Sequence, residues 1–135
     1  MKLLKLKNLH LSISLFIVIP AALIYGLYPG VSLPWLFDFE VTSPDLYNVF
    51  RAIMGLYLAF SIVWYLGIVK PALWKSATIL NIAFMGGLGS GRVLSLILDG
   101  IPSPAFALGL VGEWVLAFFA LYQFRKFKAD GKTSE

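Results

Sequence analysis

The chain has 135 residues, none of which is cysteine, and histidine occurs once. Without cysteine it cannot form a disulfide framework, a zinc–thiolate site or a cysteine nucleophile. A single histidine also excludes a metal site built from several imidazoles. We therefore expect no bound metal.

Charged residues are also scarce. They make up 13% of the chain, about half of the roughly one quarter that is typical of soluble domains. Hydrophobic residues make up 59%, and the mean hydropathy is +0.83. This composition excludes a disordered chain and argues against a water-soluble globular domain. We predict an integral membrane protein whose main partner is the lipid bilayer.

Four segments are long and apolar enough to cross a membrane, which takes about 20 mostly apolar residues. They are residues 9–28, 47–69, 76–98 and 104–124. The first is interpreted as a retained helix, because no small-x-small cleavage site follows its apolar run. Residues 1–135 are therefore predicted to form a single integral membrane domain. Its expected fold is all-α, a bundle of four transmembrane helices in up-down-up-down order.

The basic residues predict the orientation of this bundle. Nine of the eleven lie before the first span, between spans two and three, or after the fourth span. The other two connecting segments, residues 29–43 and 99–103, contain no basic residue. The positive-inside rule then places both termini in the cytoplasm. We predict a multi-pass protein of the cell inner (cytoplasmic) membrane, and no nucleic acid as a partner.

The first outer segment, residues 29–46, is unusually apolar for a connection. It contains Leu33, Trp35, Leu36, Phe37 and Phe39, and a solvated linker would not carry so many large apolar side chains. Two interpretations remain open. The segment lies partly in the membrane interface, or it folds as a lid over the outer mouth of the bundle.

Three charged residues, Arg51, Arg92 and Glu113, fall inside the predicted spans. At the helical rise per residue they lie about 6, 9 and 14 Å from the outer ends of their helices. An ionised group inside a membrane costs at least a few kcal/mol, so such groups usually face the bundle interior and pair. We predict that Arg92 pairs with Glu113, and Arg51 is a second candidate partner.

Polar neighbours extend this candidate site. Ser95 and Asp99 follow Arg92 at helical spacing and share its face, and Asn48 accompanies Arg51 on the second span. The cluster is expected to open toward the outer side, with Asp99 near its mouth. Two arginines and one glutamate leave a net positive charge. That excess favours an anionic or carbonyl-bearing ligand, such as a lipid headgroup or a carboxylate, unless Asp99 supplies the missing negative charge instead.

Glycines predict close helix packing. Gly87 and Gly91 form a small-xxx-small pattern in an apolar span, where the absence of side chains lets two helices approach. The partner helix is expected within the same chain, with a second protomer as the alternative. Gly55 belongs to the same packing set, and Gly109 and Gly112 would clear space beside Glu113. A phosphate-binding loop is not indicated, because no strand precedes these glycines and no Lys-Ser/Thr follows them.

Other polar residues of the spans are interpreted as structural. Asn81 is expected to form an interhelical hydrogen bond. The single histidine, His10, is expected at the membrane interface. Trp114 lies too deep for an interface anchor, and we expect it to pack in the core.

Three motifs resemble a bacterial domain-of-unknown-function family of small integral membrane proteins with four helices. They are Gly91-Arg92-x-x-Ser95-x-x-x-Asp99-Gly100-x-Pro102, Arg51-x-x-x-Gly55-x-Tyr57, and Glu113. The resemblance covers essentially the whole chain. It implies that the polar and turn residues of these motifs form the family's shared core, and it adds Tyr57 to the candidate site. It implies no activity and no cofactor.

Three functions compete on this basis. The first is binding or movement of a small anionic or amphiphilic ligand at the Arg/Glu site, open to the outer side. The alternative is a structural or accessory subunit of a larger membrane complex, or of a homo-oligomer, in which the charges only clamp helices. An intramembrane enzyme using Glu113 or Asp99 as acid or base ranks last. No nucleophile other than Ser95 is available, and we assign no catalytic residue.

Overall fold

A computed structural model describes Lys2 and residues 5–129 of the chain. All regular secondary structure in this part is helical, as predicted. Two short 3-10 turns, Leu6–Asn8 and Pro71–Leu73, accompany five α-helices. The helices are α1 (Leu9–Gly26), α2 (Pro29–Leu36), α3 (Pro44–Val69), α4 (Trp74–Leu98) and α5 (Pro104–Phe127). Four of them, α1, α3, α4 and α5, are long and apolar enough to cross a membrane, as expected of a multi-pass membrane protein.

A side-chain cap starts α3, and a glycine follows the end of α4. The Ser43 hydroxyl accepts a hydrogen bond from the Leu46 N–H at 3.2 Å, and Pro44 occupies the first turn of α3. This cap starts α3 earlier than the predicted residue 47. At the end of α4, Gly100 adopts a positive φ of 97°, which glycine tolerates without strain. α5 continues to Phe127, beyond the predicted residue 124.

The long helices pack as two pairs. α1 packs mainly against α3, α4 packs mainly against α5, and the pairs meet chiefly through α3 and α4. A Cβ on Gly26 would overlap Met54, and one on Gly67 would overlap Ala77. These two glycines therefore permit the close α1–α3 and α3–α4 contacts.

The two ends of the bundle differ in charge. At one end, Trp74 Nε1 donates to the Lys7 carbonyl at 3.2 Å, and Gln123 Nε2 donates to the Leu6 carbonyl at 2.8 Å. These two bonds connect the turn before α1 to the start of α4 and to the end of α5, respectively. We call this the basic end. Its described cations are Lys2, Lys5, Lys7, Lys70, Lys75, Arg125, Lys126 and Lys128. The opposite end is the acidic end, and its carboxylates are Asp38, Glu40, Asp45 and Asp99.

Residues 29–43 pack across the acidic end. Leu33 is fully buried and Val41 nearly so, whereas Trp35 is 82% exposed. The ring of Phe37 stacks on Phe106 of α5 with a centroid distance of 4.0 Å. This is the arrangement that the lid interpretation expects. The exposed Trp35 is suited to the membrane–water interface, and the location of residues 29–46 in that interface stays a prediction.

Candidate functional site

The predicted contact between Arg92 and Glu113 is present. Arg92 Nε lies 2.9 Å from each carboxylate oxygen of Glu113. It is the one ion pair among the residues that the structure describes. The two side chains are 23% and 12% exposed, so the pair joins α4 to α5 at a partly exposed position.

α5 provides most of the surroundings of this guanidinium. The Phe106 ring centroid lies 5.0 Å from Arg92 Cζ, within cation–π range. A Cβ on Gly109 would lie 3.9 Å from the same guanidinium, so this glycine borders Arg92 rather than Glu113, beside which it was predicted to clear space. The Arg92 guanidinium is therefore hydrogen-bonded at one edge by Glu113. One face lies near the ring of Phe106, and Gly109 is adjacent.

A cavity of about 610 Å³ adjoins the guanidinium in the half of the bundle toward the acidic end. Its size lies within the range of small-molecule sites, and its walls are mainly aliphatic and aromatic. The lining residues are Tyr25, Phe50, Ile53, Tyr57, Gly87, Leu88, Gly91, Arg92, Ser95, Leu96, Ile101, Pro102, Phe106, Ala107 and Leu110. Side chains from both helix pairs take part, so the cavity lies between the pairs.

The cavity brings some of the predicted site residues together. Arg92, Ser95 and Tyr57 line it, and Glu113 holds Arg92 in place. Tyr57 is 7% exposed, and its ring meets Phe84 edge-on at 5.0 Å. The Ser95 hydroxyl donates to Asp99 Oδ2 at 2.8 Å. The polar part of the cavity therefore combines one guanidinium, one aliphatic hydroxyl and tyrosine hydroxyls.

Besides Glu113, three predicted members do not line this cavity. Arg51 is exposed, and its guanidinium lies over the Tyr47 ring of its own helix at 5.7 Å. The hypothesis that Arg51 also pairs with Glu113 is therefore wrong. Asn48 is likewise exposed and does not line the cavity. Asp99 is exposed beyond the lining residues, and it reaches the site only through Ser95.

The glycine prediction needs correction. A Cβ on Gly87, Gly91, Gly55 or Gly112 would meet no described atom within 4 Å. None of these four therefore permits a close approach of helices within the chain. Gly87 and Gly91 instead form part of the cavity wall, where the absence of side chains leaves the space open.

Close approach of α4 and α5 occurs at a different glycine. A Cβ on Gly89 would lie 2.8 Å from Trp114 Nε1, so the indole occupies the space that a side chain would need. Trp114 packs against the core and stacks on Phe118 at 5.6 Å. Its core position agrees with the expectation.

Sequence reasoning missed an aromatic layer above the cavity. We call this layer the aromatic roof, and it consists of Tyr25, Phe37, Phe39, Phe50 and Phe106. Its centroid distances include 5.8 Å between Phe39 and Phe50 and 6.0 Å between Tyr25 and Phe50. The available signal was the density of aromatic residues in residues 25–50, near the predicted outer ends of two spans.

Two polar residues near the basic end also differ from expectation. His10 is fully buried rather than interfacial, and its Nε2 lies 3.0 Å from Thr78 Oγ1. Asn81 is fully buried, and its amide has no hydrogen-bond partner among the described residues. The expected interhelical hydrogen bond of Asn81 is therefore wrong. Within the described residues, no group of three or more His, Asp or Glu side chains could hold a metal ion.

Comparison with known proteins identifies a family. No curated protein and no solved structure gives a significant match to the chain. A model for a domain of unknown function, DUF4345, matches residues 6–123. This range contains the ion pair, the aromatic roof and all residues that line the cavity. The chain therefore belongs to the DUF4345 family, a domain family of unknown function.

Proposed function

We propose that the cavity beside the Arg92–Glu113 pair binds a small amphiphilic ligand whose polar head accepts hydrogen bonds. The observation that supports this is the combination of an apolar space of about 610 Å³ with one oriented guanidinium in its wall. In the predicted topology the site opens to the outer side of the inner membrane.

The arginine is suited to hold the head of such a ligand. A guanidinium carries five N–H donors in a rigid fork. The ion pair uses the Nε–H of Arg92, and the Nη groups supply the remaining donors. Tyr57 adds a hydroxyl to the same wall, whereas the Ser95 O–H is already donated to Asp99. A carboxylate, phosphoryl or ester oxygen would be bound at this point.

The apolar walls are suited to the rest of the ligand. Leu88, Leu96 and Leu110 line the cavity and would enclose a hydrocarbon chain or ring. Each buried methylene contributes roughly 0.8 kcal/mol to binding of this kind. Phe106 and the other ring residues of the aromatic roof would close the space on the side of the acidic end.

The position of Arg51 changes the expected charge of the ligand. With Arg51 outside the site, Arg92 and Glu113 balance one another, and the net positive charge expected from the sequence disappears. A ligand therefore need not be an anion. We expect an acid and its uncharged ester to bind with affinities within about tenfold of one another, a difference of roughly 1.4 kcal/mol.

A matched pair of glycine variants tests the proposal. The probes are a fluorescent fatty acid and its methyl ester, titrated against the purified full chain in detergent. Gly91→Leu puts a side chain into the cavity, and we expect it to weaken binding of both probes at least tenfold. Gly112→Leu is the control, because Gly112 is also exposed and helical, with no described atom near its Cβ position. Equal affinities in the two variants would show that the cavity is not the binding site.

An accessory subunit is the second candidate function. It is favoured by the exposure of Gly87 and Gly91, because a helix of a partner or of a second copy could pack closely on small residues there. Native mass spectrometry of the same variants separates the two functions. Dissociation of an oligomer or complex by Gly91→Leu, with no probe bound by the unmodified chain, would favour the subunit.

A further inference from the structure

A second cavity lies at the basic end, far from the Arg92–Glu113 pair. It has a volume of about 140 Å³ and is bounded by Lys2, Lys5, Lys7, Asn8 and Trp74, among other residues. One water takes roughly 30 Å³ in the liquid, so the space accommodates a larger polar group. We propose that this cavity binds a phosphate group, carried by an anionic phospholipid or present as free phosphate.

Contacts to the helices hold two of the three lysines at this cavity. Lys2 Nζ donates to the Val69 carbonyl at the end of α3, at 3.1 Å. Lys7 Nζ lies 4.8 Å from the Trp74 ring centroid, and the Trp74 indole in turn donates to the Lys7 carbonyl. Because Trp74 is only 2% exposed, the segment that carries the lysines rests on a buried side chain.

Hydrogen bonds of Asn8 connect two of the three lysines that border this space. Asn8 Nδ2 donates to the Lys2 carbonyl at 2.8 Å, and the Asn8 N–H donates to the Lys5 carbonyl at 2.8 Å. Asn8 is itself 6% exposed. The buried amide therefore ties Lys2 to the start of α1, beside the cavity that all three lysines border.

The charge around this cavity is not balanced by any carboxylate among the residues that the structure describes. The described acidic residues are Asp38, Glu40, Asp45 and Asp99 at the acidic end, and Glu113 in its ion pair. No carboxylate of the described chain lies at the basic end beside its eight cations. Lysine binds phosphate as a compact point charge, and basic pockets between membrane helices are sites for phospholipid headgroups. A phosphate is therefore the complementary ligand.

Two charge-matched double variants of the full chain test this proposal. Lys5→Gln/Lys7→Gln removes two charges from the cavity, and Lys126→Gln/Lys128→Gln removes two from the same end but outside it. Binding of phosphatidylglycerol and phosphatidylcholine is measured by native mass spectrometry, with inorganic phosphate as a competitor. We expect the cavity variant to weaken phosphatidylglycerol binding about 30-fold, from the usual effect of a lysine near an anionic surface. The control should weaken it about threefold or less.

Each outcome of the experiment has a defined meaning. Competition by inorganic phosphate supports recognition of phosphate alone, and a selective loss in the cavity variant without competition supports the intact lipid headgroup. Equal losses in the two double variants would overturn the proposal in favour of diffuse attraction between the basic end and anionic lipid. Equal binding of phosphatidylcholine would overturn it as well, because a headgroup without net charge would then bind as tightly as an anionic one. Circular dichroism verifies folding, and Lys5→Gln alone provides a milder variant that leaves the Lys7–Trp74 contact in place.

Discussion

Removal of one partner of the Arg92–Glu113 pair should destabilise the bundle more than removal of both. The perturbations are Arg92→Leu, Glu113→Leu and the double variant. Each single substitution leaves one charge in a mainly apolar setting without its partner. The double substitution leaves two apolar side chains between α4 and α5, where the surroundings are already apolar.

The geometry sets the magnitude of the effect. At the observed N···O distance of 2.9 Å, two unit charges attract by about 6 kcal/mol at an effective dielectric constant of 20. Desolvation offsets part of this attraction, and loss of one partner of a buried pair typically costs roughly 3 to 5 kcal/mol. Because the side chains are 23% and 12% exposed, we expect about 3 kcal/mol for each single variant, at the lower end of that range. The free energy of unfolding of the double variant should lie within about 1 kcal/mol of that of the unmodified chain, because replacement of an ion pair by apolar residues is often neutral for stability.

The measurement is a double-mutant cycle on the free energy of unfolding. Unfolding of the chain in mixed micelles is followed by far-UV circular dichroism as denaturant increases, for the unmodified protein and the three variants. A coupling energy of several kcal/mol would agree with a direct pair. The reasoning fails if each single variant costs less than about 1 kcal/mol, or if the double variant costs the sum of the two.

Three further substitutions test the packing by the same assay. Gly89→Leu should cost about 1 to 3 kcal/mol by overpacking against Trp114, whereas Gly86→Leu, with no described atom near its Cβ position, should cost nothing. Ser43→Ala should cost about 1 kcal/mol through loss of the α3 cap, and an unchanged stability would show that the cap is dispensable. Phe37→Ala should cost about 2 kcal/mol, below the usual value for a fully buried ring, and should loosen the aromatic roof. A cost below about 0.5 kcal/mol would mean that the roof does not hold residues 29–43 in place.

The long helices were predictable because a membrane imposes length and apolarity together. A span must satisfy its backbone internally over about 20 apolar residues, and the four segments that meet this condition are the four long helices. The short helix α2 was not predicted. It has only eight residues, with Pro34 inside it, and such a helix depends on tertiary contacts rather than on propensity. Burial of Leu33 supplies one such contact.

The ion pair and the cavity differ in how far the sequence reveals them. Charges inside an apolar span are costly, so a pair between Arg92 and Glu113 could be expected from depth alone. The cavity could not. A glycine pair four residues apart, such as Gly87 and Gly91, is compatible with close contact between two helices and equally with a cavity beside the glycines. Only the position of the neighbouring helix distinguishes these two arrangements. That position depends on Gly67, where the two helix pairs meet closely through Ala77 of α4.

The predicted depth in the membrane also did not show that Arg92 belongs to the site and Arg51 does not. The two side chains differ in the direction in which they project around their helix axes. Arg51 precedes the buried Tyr57 by six residues, so the two side chains project about 120° apart around the axis of α3, and Arg51 is exposed. Arg92 follows the buried Met85 by seven residues and lies within about 20° of it, on the core side of α4. In a soluble protein the polar face of each helix would have indicated these directions. In a membrane, lipid-facing side chains are as apolar as core side chains, so the direction becomes visible only through contacts such as that of Arg92 with Glu113.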